Sequence, residues 1–234
     1  MLKRNAGPAH ILVFDVNETL LDVNALRPQF ERIFKDPEVL KQWFPQMLLY
    51  SQTITQTGEY VDFGKLARAS LQMIADIHRI DLTESDITGV IDSIRSLPAH
   101  PEVGEQLGRL RESGFRTVAL TNSPEGVATQ QIGKAGLSAM FERLFSVDAV
   151  KKYKPAGDAY RHVANALGVN TSQLVMIASH PWDLMGAKAA GCDIAFIQRP
   201  GTAWFPLGPP PMIRGANLRD VASQLIEREK GSSR

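Results

Sequence analysis

Four groups of polar residues each stand near the end of an apolar run, and together they contain the parts of a covalent catalyst. They are Asp15 with Asn17 and Thr19, Thr121 with Asn122, Lys154 behind Lys151 and Lys152, and Ser179 with His180 and Asp183. A carboxylate nucleophile must be ionised and oriented; a nearby ammonium lowers its pKa, while hydroxyl and amide donors hold its spare oxygen. Asp15 can supply the carboxylate, Lys154 the ammonium and Thr19, Thr121 and Asn122 the donors. Asp15 also has a purely structural reading, because Asp and Thr side chains bond nearby backbone N–H groups and cap turns. His180 reads either as the base that activates a hydrolytic water or as a loop histidine bonded to backbone. His10, His78, His100 and His162 have no motif around them and read as structural, and Lys151 and Lys152 as solvated neighbours of Lys154.

These groups need a scaffold that brings them to one edge. Ile11 to Phe14 is too short for a helix and has the length of a buried strand. From Val23 to Ser96 the pattern is helical, with apolar positions such as Leu40, Trp43, Met47, Leu66, Leu71, Ile74 and Val90; Asp62 can cap one helix, and Thr83 with Asp86 resembles a capping box. From Leu97 onward strands and helices alternate. Helices are predicted over 101–113, 124–135, 158–167 and 184–190, with strands over 116–120, 144–147, 174–178 and 194–197. That alternation implies right-handed crossovers and a parallel sheet covered on both faces, whose strand ends open onto one crevice. The Pro- and Gly-rich segment 199–211 reads as an ordered loop, and a last helix is predicted over 218–229, with Gly231 to Arg234 fraying.

With 234 residues and 44% hydrophobic content, the chain holds enough apolar material for a core domain plus a smaller insert. A net charge of +1 offers no electrostatic case for nucleic acid or an anionic membrane surface. Lys3 and Arg4 precede an apolar segment that Asp15 and Glu18 interrupt too early for a signal peptide, and no later run reaches membrane-spanning length. A cytoplasmic location is the default expectation. The single Cys192 cannot form an internal disulfide and reads as a packing residue.

In order, Phe14-Asp15-Val16-Asn17-Glu18-Thr19-Leu20, Leu120-Thr121-Asn122, Tyr153-Lys154-Pro155 with Tyr160, and Ala178-Ser179-His180-Pro181-Trp182-Asp183 resemble the four motifs of the haloacid dehalogenase superfamily. The Tyr-Lys-Pro with Tyr160 and the Trp-Asp pair resemble its L-2-haloacid dehalogenase (type II) branch. The resemblance implies an α/β fold, with a doubly wound parallel sheet from residues 1–22 and 97–234 and an inserted helical cap domain at 23–96. It implies that Asp15 is the nucleophile, that Thr19 holds a donor near it, and that Thr121 and Asn122 line the substrate and halide site. Lys154 would bind a carboxylate, with Tyr160 and Asp183 supporting it and the water. The implied reaction is an SN2 attack on the halogen-bearing carbon of a short halogenated carboxylate, then hydrolysis of the aspartyl ester, without metal or organic cofactor.

Several positions depart from that pattern. Phosphatases of the superfamily resemble one another in an Asp two residues after the nucleophile and a further acidic residue at the fourth motif, where this chain has Asn17 and Ser179; Asn cannot exchange a proton and Mg²⁺ favours carboxylates. Well-matched dehalogenases have Tyr at the place of Asn17 and an arginine after a cap tryptophan, where this chain has Trp43-Phe44. Arg199, past the last strand, is a topological candidate for the missing cation. Trp43, Phe44, Tyr50 and Trp182 read as an apolar wall around the leaving group, or as simple core. Two rivals remain, a Mg²⁺-dependent phosphatase of the same fold and a binding module without turnover. Helical caps and exposed aromatics are compatible with a homodimer.

Overall fold

The computed structural model describes residues 11–232, so Lys3, Arg4, His10, Ser233 and Arg234 lie outside the described residues. Six parallel strands form one sheet in the order β3-β2-β1-β4-β5-β6: β1 Ile11–Phe14, β2 Arg116–Thr121, β3 Arg143–Ser146, β4 Leu174–Ala178, β5 Asp193–Ile197 and β6 Ile213–Gly215. All four residues of β1 are buried between β2 and β4, with Phe14 opposite Ala119 and Ile177. A strand flanked on both sides and both faces must be apolar throughout, as this one is. The strand order reverses direction between β1 and β4, which opens a crevice at their carboxyl ends. Asp15 follows β1 and Ser179 follows β4, so both stand at that crevice.

Between β1 and β2 the chain forms a short 3₁₀ turn at Val23–Leu26 and helices α1 (Arg27–Phe34), α2 (Leu40–Gln56), α3 (Phe63–His78) and α4 (Glu84–Ile94). Both expected caps are present: Asp62 accepts from Lys65 N, and Thr83 with Asp86 forms a reciprocal capping box. Trp43, wholly buried, donates from Nε1 to Ala67 O at 3.0 Å and ties α2 to α3. The remaining helices are α5 (Val103–Glu112), α6 (Glu125–Lys134), α7 (Gly157–Leu167), α8 (Pro181–Ala189) and α9 (Leu218–Ser232). One continuous apolar core runs from the sheet into the helical segment. No helix among the described residues is long and apolar enough to cross a membrane.

Three differences from the expected elements have local causes. Helix α8 begins three residues early, because Pro181 is preorganised for a first helical position and His180 precedes it in an extended conformation; Trp182 and Asp183 therefore sit in its first turn. The sequence pattern missed β6, which is three residues long and too short to show a period. Helix α9 continues through Gly231 to Ser232 instead of fraying at Gly231.

Candidate active site

Asp15 leaves β1 with its N–H bonded to Ile177 O of β4 at 3.0 Å, which anchors the residue across the switch point. The residue is 5% exposed. Thr19 Oγ1 donates to Asp15 Oδ2 at 2.6 Å and accepts from Ser179 N at 2.9 Å, so its shortest bond directs the hydroxyl proton at the carboxylate. On the other oxygen, Lys154 Nζ donates to Asp15 Oδ1 at 2.7 Å.

Lys154 is 1% exposed and spends all three protons: on Asp15, on Asp183 Oδ2 at 2.7 Å and on Leu120 O at 3.1 Å. Its backbone N–H is held by Asn122 Oδ1 at 3.0 Å, and Asn122 Nδ2 makes no hydrogen bond among the described residues. Tyr160 donates to Asp183 at both Oδ1 (2.6 Å) and the main-chain oxygen (2.8 Å), completing a closed network. Burial opposes ionisation of Asp15, but the Lys154 ammonium and the neighbouring His180 overcome it and hold the carboxyl well below the usual carboxylate range. Burial would lower Lys154, yet Asp15 and Asp183 raise it, so the ammonium persists. Asp183 is pushed up by burial, against the pull of Lys154. Burial and Asp183 likewise raise Tyr160 far above the ordinary phenol, so it remains a donor. A nearby chain segment secures the lysine: a Cβ on Gly186 of α8 would stand 2.4 Å from Pro155 Cβ, so only glycine allows α8 to lie this close to the 154–155 segment.

His180 is bonded on both nitrogens, Nδ1 at 3.4 Å from Asp15 Oδ2 and Nε2 at 2.6 Å from Glu18 Oε2. Burial would strip its proton, but the two carboxylates retain it and push the imidazole up to about 9. Both contacts favour the protonated ring, and they run to two carboxylates instead of to backbone. Glu18 reaches it from a left-handed backbone conformation (φ 62°), whose carbonyl is bonded to His100 Nε2 at 3.2 Å. His100 is therefore structural, as expected, but it braces the site.

A pocket of about 20 Å³ lies against Asp15, His180, Thr121 and Asn122, walled by Phe44, Leu48, Phe63 and Trp182. The volume suits one occupant the size of a water or a halide. The ring of His180 lies between those of Phe44 (6.2 Å) and Trp182 (5.3 Å). Ser179 takes part through Thr19 rather than by facing the pocket. Asn17 touches the pocket, yet its amide donates to Ser123 Oγ at 3.3 Å and accepts from Gln131 Nε2 at 3.1 Å.

The remaining candidates stand elsewhere. Trp43 walls a larger neighbouring cavity instead of the small pocket. Tyr50 is 37% exposed and lines neither. Arg199 spends its donors on Thr19 O (2.8 and 3.2 Å) and Glu102 Oε1 (2.6 Å), so it is no leaving-group cation. Residues that sequence reasoning missed are Glu18, Leu48, Phe63, Ser123 and Gln131; Glu18 stood inside the first motif, but nothing local indicates a partner at position 180.

For a metal, the donor set is poor: Asp15 and Asp183 already share one ammonium, and the nearby positions 17 and 179 carry an amide and a hydroxyl.

The family profile described as haloacid dehalogenase-like hydrolase matches residues 9–191. The chain belongs to that family. Among haloacid dehalogenase-like hydrolases it is 31% identical to (S)-2-haloacid dehalogenase 1 of Pseudomonas sp. (strain CBS-3), over 82% of this chain and 86% of that one. It is 29% identical to haloacetate dehalogenase H-2 of Moraxella sp. (strain B), over 86% and 90%. The solved structure of the L-2-haloacid dehalogenase RSc1362 superposes with a TM-score of 0.88 at 27% identity, covering 94% of this chain and 100% of that one.

Proposed function

We propose that this haloacid dehalogenase-like hydrolase cleaves the carbon–halogen bond of a 2-haloalkanoic acid by hydrolysis, through an ester on Asp15. The observation that carries the reading is the state of Asp15: ionised, held by Thr19 and Lys154, and facing a pocket walled by Phe44, Leu48, Phe63 and Trp182. Poor solvation makes such a carboxylate a nucleophile. Relatives named for haloacetate and (S)-2-haloacid dehalogenation support the substrate class. In this reading the helical segment 23–96 is a cap that closes over the sheet edge, and Asn122 Nδ2 with Thr121 receives the substrate carboxylate.

In the first step an Asp15 oxygen attacks C2, the C–O bond forms, and the halide leaves with the bonding pair. The His180 imidazolium between Phe44 and Trp182 balances the charge that an arginine would otherwise meet. Esterification removes the charge of Asp15 and with it one of the two anions holding the His180 proton, which passes to solvent water while the halide leaves as the anion. Neutral His180 then takes one proton from water as the water oxygen attacks Cγ of Asp15. Collapse expels the alkoxide, the second water proton completes the product hydroxyl, and Asp15 and the imidazolium return. Asp183, bonded at both oxygens, positions Lys154. Exposed Leu49 and Tyr50 on α2 and Ile77 on α3 support a homodimer, which sedimentation can test.

The deciding experiment is mass spectrometry of the intact protein after turnover of chloroacetate, bromoacetate and fluoroacetate in H₂¹⁸O with metal chelated. Halide release with ¹⁸O entering Asp15 of the wild type over repeated turnovers, and none in Asp15→Asn, is expected. No halide, with phosphate esters turned over only when Mg²⁺ is restored, overturns the reading in favour of a phosphatase.

A further inference from the structure

Beside the pocket over Asp15 lies a cavity of about 200 Å³ against its 20 Å³, and Asn17, Phe44 and Phe63 line both. The larger one is lined by Leu26, Trp43, Met47, Ala67, Ile94 and Val127, with no part in the steps above. Its polar neighbours are already engaged. Asn17 bonds Ser123 and Gln131, Asp62 caps α3 through Lys65 N, and Arg95 pairs with Asp92 at 2.9 Å. What remains to meet a ligand is mostly apolar, with the free oxygen of Asp62 and the outer guanidinium of Arg95 as the charged groups on the lining. A dry cavity of about 150 Å³ with such walls takes up benzene, so this one has room for a phenyl ring or a chain of about four to six carbons.

We propose that this cavity binds the apolar tail on the halogen-bearing carbon, and that the preferred substrates are 2-halo acids with a chain or ring well beyond propanoate. The proposal rests on the Asp15-ester reading above. With the carboxylate at Asn122 and C2 beside Asp15, the remaining substituent leaves the small pocket past Asn17 and Phe44. Asn17, held by Ser123 and Gln131, lines both spaces and stands where the substituent would cross.

The test has two arms on the full chain. In the first, calorimetry measures binding of the unreactive acids butanoate, hexanoate and octanoate. Affinity should rise about fourfold per buried methylene, and the filling variants Val127→Phe and Ala67→Leu should flatten the series. A flat series in the wild type, or a rise that both variants leave intact, overturns the proposal. In the second arm, halide release should favour (S)-2-bromohexanoate over (S)-2-bromopropanoate in kcat/KM by at least tenfold, and the ratio should approach one in the filled variants. Chain-length-dependent binding without halide from any acid keeps the cavity as a tail site and overturns the dehalogenase reading. Halide release favouring propanoate, with flat binding, does the opposite.

Discussion

His180 Nε2 lies 2.6 Å from Glu18 Oε2, on the side of the ring away from Asp15. A histidine whose folded pKa exceeds its unfolded value lends stability below the ordinary imidazole value and loses it as pH rises through the folded one. Here the window runs from 6.5 to about 9. Both kcat/KM and resistance to urea are expected to fall across it. Glu18→Gln removes one anion and should move the alkaline limb down by roughly one unit. A limb that stays in place in pH–rate profiles sinks the idea that this pair holds the proton.

Lys154→Met keeps the volume and removes the only cation between two buried carboxylates. Halide release should drop at least about a hundredfold, and urea unfolding should show a loss of about 3–5 kcal/mol. Lys154→Arg should not restore turnover, because a planar guanidinium cannot direct donors to Asp15, Asp183 and Leu120 O together.

Gly186→Ala forces a Cβ to within 2.5 Å of Pro155 O. The expected cost is about 1–3 kcal/mol of stability, with a fall in kcat because the displaced segment carries Lys154. Gly108→Ala in α5, where nothing lies within 4 Å, should instead stabilise by about 0.5–1 kcal/mol. Thermal unfolding of the two variants checks both signs.

Arg199→Ala should leave the affinity for a carboxylate substrate unchanged while lowering stability by about 2 kcal/mol, since Glu102 loses its ion pair and keeps Leu218 N, and Thr19 O loses two donors. Weaker substrate binding at unchanged stability would return Arg199 to the pocket.

Haloacetates alkylate thiolates, yet burial pushes the Cys192 thiol up to about 12. Mass spectrometry of the folded protein with bromoacetate should find no adduct on Cys192, and one after denaturation.

The apolar runs that became β1, β2 and β4, the Asp62 cap and the Thr83–Asp86 box were legible because their signals are complete within one strand or one helical turn. Asp15, Thr19, Lys154 and Asp183 were legible because each follows an apolar run, and parallel strands bring such ends to one edge; Tyr160, inside α7, was legible only through the resemblance of the motifs to the family. Thus the sequence by itself determined the sheet, the helical insert and the identity of the charged centre. The tertiary structure decided what surrounds that centre. Glu18 and His180 are 162 residues apart, and their pairing depends on which strands are neighbours and on one left-handed residue. The same holds for Arg199, whose side chain follows Thr19 O and Glu102 instead of the crevice, and for Trp43 and Tyr50, two aromatics of one helix that face a cavity and solvent respectively. A local pattern states what a residue prefers to be near; only long-range packing, which sets distances between distant segments, selects the partner it meets.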